Sequence, residues 1–167
     1  ESLKLKAFNY KIIANIPYNI TGAIIEKFLS DENKPSLMVL LVQKEVAERI
    51  VTRDNKESIL SLSVKAYGSP KIVYKVNKGS FFPIPKVDSA VLKISNINSN
   101  NFINKEHEIN FFNTVKAGFA HKRKFLISNL KEKINNKNWI SLFKENNMDE
   151  KIRAEDVVLE KWLNISK

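Results

Sequence analysis

Cysteine is absent from these 167 residues, which excludes disulfides and thiolate metal sites. Histidine is nearly absent: His107 and His121 are far apart, without a carboxylate cluster, so no metal site is expected. Glycine occurs at Gly22, Gly68, Gly79 and Gly118, no two of them close together, so no glycine-rich loop is present. Long apolar runs are missing too. The stretch Leu37–Val42 is among the longest, far short of the roughly 20 apolar residues that span a bilayer. The opening residues Glu1-Ser2-Leu3-Lys4-Leu5-Lys6 alternate and carry charge, unlike a secretory leader. These absences lead to the expectation of a soluble, cytoplasmic protein with no membrane association, built as one ordinary domain or as one domain with a small appendage.

What is present is basic charge. The formal net charge is +10. Residues 1–96 carry 15 basic and 9 acidic side chains, and residues 97–167 carry 13 and 9, so the excess is spread along the chain. A polyanionic partner fits such an excess, because neutralising phosphates releases counterions. A basic, solvated surface without a nucleic-acid partner fits it as well.

The pattern along the chain predicts a doubly wound α/β sheet with an antiparallel edge, followed by a small all-helical domain. Lys11-Ile12-Ile13-Ala14 reads as a strand, and residues 21–30 have helical spacing with Asn19 or Thr21 as the cap. Asp31–Pro35 is a polar break. Leu37–Val42 reads as a strand buried on both faces. Helices are predicted at 44–52 and 58–67, and strands at 72–76 and 90–94. Residues 95–105, rich in asparagine, read as a surface linker. Helical patterns follow at 108–118, 123–134, 138–146 and 155–165. The expected division is 1–95, a linker at 96–105, and a helical domain at 106–167.

The first strand ends in Asn15-Ile16-Pro17-Tyr18, at the carboxyl edge where open α/β sheets bind ligands. Each residue type suits methyl transfer to an adenine amine. That amine is a poor nucleophile because its lone pair is delocalised into the ring. The Asn15 side-chain oxygen and the Ile16 carbonyl can accept its two N–H bonds, favouring the positive charge that develops on nitrogen. Pro17 fixes the backbone so that the Ile16 carbonyl points inward. Tyr18 offers a flat face to a flipped base and to a cationic sulfonium. The competing reading is a simple turn, since Asn and Pro form turns after many strands.

The second signal is the loop Gly79-Ser80-Phe81-Phe82-Pro83-Ile84-Pro85-Lys86-Val87-Asp88-Ser89-Ala90-Val91. Its prolines stiffen an extended backbone. A phenylalanine presented there supplies a second aromatic wall, with a stack contributing ~1–3 kcal/mol per base. Phe81 is the first choice for that wall and Phe82 the alternative; a core plug is the competing role for one of them.

Five stretches in order resemble the ribosomal small-subunit RNA adenine dimethyltransferases. They are Asn15–Thr21, Val42-Gln43-Lys44-Glu45-Val46-Ala47-Glu48-Arg49, the aromatic-proline loop through Val91, and Phe119–Leu126 with Ile152-Arg153-Ala154-Glu155. The resemblance implies a Rossmann-like methyltransferase domain and dimethylation of two adjacent adenines during ribosome biogenesis, with S-adenosyl-L-methionine as methyl donor. It implies that Asn15 and Pro17 meet the donor, that Asn15, Ile16, Pro17, Tyr18 and Phe81 form the catalytic set, and that the partners of a monomer are ribosomal RNA and the small ribosomal subunit. Lys122, Arg123 and Lys124, at the start of a helix, are the first candidates for phosphate contact, with Arg49 and Lys44 behind them. Each has a bland alternative as a solvated charged face. The family's glycine-rich cofactor loop and its acidic ribose-binding residue have no counterpart here. The expectation is therefore a C-terminal piece that does not bind S-adenosyl-L-methionine tightly by itself. Two other functions stay open: a non-catalytic RNA-binding or ribosome-assembly module, and an adenine methylase of large-subunit RNA.

Overall fold

The computed structural model describes residues 9–52 and 54–167, so the opening stretch Glu1–Lys6 lies outside the described residues. Among the described residues four strands form one sheet, in the order β1-β2-β4-β3. Strand β1, Lys11–Asn15, runs parallel to β2, Leu37–Gln43, with Asn15 opposite Leu41. Strand β4, Ser89–Ser95, is antiparallel to both β2 and β3, Ser69–Val76, and Ser89 stands opposite both Gln43 and Val76. Asn15, Gln43, Val76 and Ser89 therefore share one edge of the sheet, and the loop 77–88 crosses that edge.

Helices α1 (Thr21–Ser30), α2 (Lys44–Ile50) and α3 (Ile59–Tyr67) cover the sheet. Ile25, Leu29, Ala47, Ile50 and Val64 bury themselves against Met38, Leu40, Val42, Leu92 and Ile94. The stretch Leu37–Val42 is not buried on both faces as its apolar run suggests. Met38, Leu40 and Val42 are buried, whereas Leu37, Val39 and Leu41 are half-buried and neighbouring Ile13 is 77% exposed. Six consecutive apolar residues obscure the alternation that a strand covered mainly on one face would otherwise show.

Helix α1 lacks the expected Asn19 or Thr21 cap. A 3₁₀ turn at Tyr18–Ile20 runs straight into it, Ile20 N–H donates to the Pro17 carbonyl at 3.2 Å, and Thr21 already lies inside the helix with its hydroxyl donating to the Tyr18 carbonyl. Helix α3 carries a capping box, in which Ser58 and Ser61 exchange side-chain and backbone hydrogen bonds.

The remaining helices are α4 (Lys105–Gly118), α5 (Leu126–Lys133), α6 (Trp139–Glu145) and α7 (Leu159–Ile165). Phe111, Leu130, Trp139, Phe143 and Trp162 form their core. Gly118 keeps α4 close to α7 and α5: a Cβ there would stand 2.4 Å from the Trp162 ring and 2.6 Å from Leu126. The two cores meet at α3, since Val64 and Tyr67 join the sheet cluster while Leu62 and Ala66 join the helical one. The asparagine-rich segment between them is tied down. Ile97 is buried, Asn98 N–H donates to the Tyr67 carbonyl at 2.8 Å, and Phe102 packs on Tyr67 and Phe111.

Candidate active site

Asn15 ends β1 on its exposed side, and its side chain has no hydrogen-bond partner among the described residues. Ile16, next to it, is buried and anchors the turn in the sheet core. Pro17 holds an extended backbone at φ −59° and ψ 134° before the chain tightens into the 3₁₀ turn. Asn15, Ile16, Pro17 and Tyr18 line an open hollow of about 330 Å³. The Tyr18 hydroxyl is 2.7 Å from Oγ of Ser89, which is fully buried at the start of β4. That bond ties the turn to the end of the aromatic-proline loop.

Further bonds hold the loop at its base. Asn77 Oδ1 accepts from Gly79 N–H at 2.8 Å, and Asp88 Oδ1 accepts from Lys78 N–H at 3.1 Å. The Asp88 carbonyl accepts from Lys44 N–H at 3.0 Å, joining the loop to the start of α2. Lys44 Nζ lies 3.9 Å from the Asp88 carboxylate. Phe81 is half-buried, whereas Phe82 is fully exposed, so a core-plug role is excluded for Phe82. Neither ring lines the hollow at Asn15, and no ring contact joins Phe81 to Tyr18 among the described residues. Asp88 and Ser89 carry no signal of this role in the sequence. Their register opposite β2 and β3 is a long-range feature that local pattern does not carry.

The basic candidates separate. Lys122, Arg123 and Lys124 lie in the turn between α4 and α5 rather than at the start of a helix. The turn is fixed from α5. Asn129 Nδ2 donates to the carbonyls of Gly118 and His121, at 2.7 and 3.1 Å, and Lys124 N–H donates to the His121 carbonyl. Glu132 receives Lys124 Nζ at 2.9 Å, Lys133 Nζ at 3.1 Å and His121 Nε2 at 3.2 Å. Hydrogen bonds from Lys124, Lys133 and His121, in that order, hold the Glu132 carboxyl down at about 2. Lys122 and Arg123 have no ion pair among the described residues and are exposed. Lys122 and Arg49 line one cleft of about 970 Å³ between α2, α3 and the α4–α5 turn, although Arg49 is engaged by Glu45 at 2.8 Å. Lys44 lines a separate hollow of about 340 Å³ with Lys78 and Lys86. The remaining histidine is structural: His107 Nδ1 accepts from Ile103 N–H and its Nε2 faces the Leu163 carbonyl at 2.9 Å.

Sheet order, covering helices and the polar turn at the strand ends define the Rossmann-like methyltransferase class of fold. A dimethyladenosine transferase from Plasmodium falciparum shares it at a TM-score of 0.79 and 26% identity, over 93% of this chain and 65% of that one. The 23S rRNA methyltransferase ErmE shares the fold at a TM-score of 0.74 and 20% identity, over 98% and 67%. Within that class, the chain belongs to the ribosomal RNA adenine dimethylase family, whose sequence model matches residues 3–167. Ribosomal RNA small subunit methyltransferase A of Dehalococcoides mccartyi strain 195 is 38% identical over 155 residues, covering 92% of this chain and 53% of the relative. The protein of that name from Mycoplasmopsis pulmonis is 41% identical over 155 residues, covering 91% and 60%. The chain thus spans between about half and three-fifths of the length of these relatives.

Proposed function

We propose that these residues form the adenine-binding side of a small-subunit ribosomal RNA adenine dimethyltransferase, acting with a glycine-rich cofactor segment. The observation that carries this reading is an unpartnered Asn15 at the open end of β1, in one hollow with a Tyr18 whose hydroxyl is fixed on Ser89. A free carboxamide on an exposed strand end fits the polar methionine end of S-adenosyl-L-methionine, so Asn15 and Pro17 make up one wall of its site. When bound, that molecule supplies an electrophilic methyl group.

This chain's part is to bind and orient the base. The Asn15 side-chain oxygen and the Ile16 carbonyl accept from the adenine amino group and stabilise the positive charge that develops on its nitrogen. Tyr18 stacks on the purine, and Phe81, presented by the loop that ends at Ser89, closes the other side. The surplus proton leaves to water from a strongly acidified ammonium, so no general base is needed. Lys122 and Arg123 contact phosphates, with Lys124, Arg49 and Lys44 at the margin. In this reading residues 1–95 complete the catalytic domain, 96–105 connect, and 106–167 grip RNA. The protein works as a cytoplasmic monomer on the small ribosomal subunit during its biogenesis.

The test is methyl transfer to small-subunit RNA by a chain carrying these residues together with the cofactor segment. Asn15→Ala is expected to lower the rate by about 10²–10³, as removal of a transition-state hydrogen-bond partner does elsewhere, with RNA affinity retained. An unchanged rate overturns the assignment.

A further inference from the structure

Phe82 is fully exposed, at 101% of its reference area, although the backbone on both sides of it is fixed. Pro83 and Pro85 stiffen the loop. Its two ends are joined to each other by the Lys78 N–H to Asp88 bond and to α2 by the Lys44 N–H to Asp88 bond. Ile84, at 65%, and Val87, at 42%, are exposed on the same loop. Three exposed apolar side chains on one short, stiff loop offer apolar surface to a partner, which a single exposed ring would not.

The surroundings select the kind of partner. Lys78 and Lys86 line the hollow beside Val87 and have no ion pair among the described residues. Of the carboxylates there, Asp88 is engaged by Lys44 and by the Lys78 N–H, Glu45 by Arg49, and Glu48 by Lys75 at 3.7 Å. What is left uncompensated on this loop is an exposed aromatic ring with a lysine four positions to either side in sequence, Lys78 and Lys86, a combination that suits single-stranded nucleic acid by stacking one face and neutralising phosphates. The ring lies on the loop that ends at Ser89, itself bonded to Tyr18, yet it does not line the hollow at Asn15.

We infer that Phe82 is a second base-contact point, separate from the catalytic hollow, which stacks on an unpaired nucleotide flanking the one held at Asn15 and Tyr18 while Lys78 and Lys86 meet the intervening phosphates. The inference rests on the RNA reading given above and deepens it: the substrate must present two unstacked bases at once, not one. Phe82 then fixes the register of the strand across the sheet edge.

The test pairs a protein change with an RNA change. The probe is a synthetic RNA hairpin with two adjacent adenines in its loop, its affinity measured by fluorescence anisotropy, with an abasic position walked through the nucleotides on either side. Phe82→Ala is expected to weaken binding by about tenfold, within the range for one lost stack, and Phe82→Trp to retain it. At one flanking position the abasic RNA should lose the same factor with the unsubstituted protein and nothing further with Phe82→Ala. Circular dichroism checks that each variant is folded. Multiplicative losses at every position, or a Phe82→Ala protein with unchanged RNA affinity, overturn the inference and leave the Asn15 site standing. A variant that keeps its RNA affinity but loses affinity for whole small subunits also overturns it, by showing that the ring meets protein. No RNA binding by the unsubstituted chain overturns both readings together.

Discussion

The Tyr18 hydroxyl and the Ser89 hydroxyl stand 2.7 Å apart across 71 positions of sequence. This bond joins the end of β1 to the start of β4, and with it the polar turn to the aromatic loop. Tyr18→Phe keeps the ring and removes the bond. A loss of about 1 kcal/mol in unfolding free energy is expected. A double-mutant cycle with Ser89→Ala should give a coupling of similar size, because the two groups are each other's partner. Denaturant titration of the three variants checks it; additive losses would contradict the pairing.

The basic turn between α4 and α5 makes a prediction about salt. Lys122 and Arg123 are free of ion pairs among the described residues, whereas Lys124 is held on Glu132. Replacing Lys122 or Arg123 with Gln should each reduce the slope of log affinity against log salt by about one. Lys124→Gln should reduce it by less. Glu132→Gln should raise RNA affinity by releasing Lys124. Binding isotherms across a salt series distinguish these outcomes from a uniform loss.

The buried pair between the two cores predicts an alkaline limit. Tyr67 donates to Glu108, which also accepts from Lys105 at 3.0 Å, and Lys34 lies 5.0 Å from the centre of the Tyr67 ring. Burial first, then the Glu108 bond, raises the Tyr67 phenol well above its ordinary 10. Burial pushes the Glu108 carboxyl up, but the Tyr67 and Lys105 bonds outweigh it and leave it below the usual range. A phenol whose folded value is raised contributes stability that is complete below about pH 10 and fades as pH rises beyond it. The lowered carboxyl contributes above its ordinary value and less as pH falls. Tyr67→Phe should therefore cost ~1–3 kcal/mol at neutral pH, through the acceptor left unpaired, and flatten the loss of stability above pH 10. Thermal unfolding from pH 6 to 11 checks both.

Much of this was legible in the sequence because the informative signals are local. The strand before Asn15, the helix after it and the stiff loop at Phe81 and Phe82 all follow from residue type and spacing. The features that escaped are long-range. Ser89 becomes the partner of Tyr18 only through strand register, and Asn129 holds the carbonyl of Gly118 eleven positions away. Lys122–Lys124 read as the start of a helix because their spacing continues into Leu126, but Asn129 and Glu132 reach back and hold that stretch as a turn. The cap expected at Asn19 or Thr21 failed for a related reason. A 3₁₀ turn at Tyr18–Ile20 precedes α1 directly, so Thr21 already lies inside the helix and its hydroxyl donates to the Tyr18 carbonyl instead of accepting as a cap.

The most direct test of Asn15 as the residue that activates the amine is the methylation rate of Asn15→Ala, measured against the unsubstituted protein with the cofactor segment present and RNA saturating. A rate lower by about 10²–10³ with RNA affinity unchanged is expected, since Asn15 acts on the charge that develops at the amine. A rate within a factor of about two, or a loss confined to RNA affinity, would contradict it.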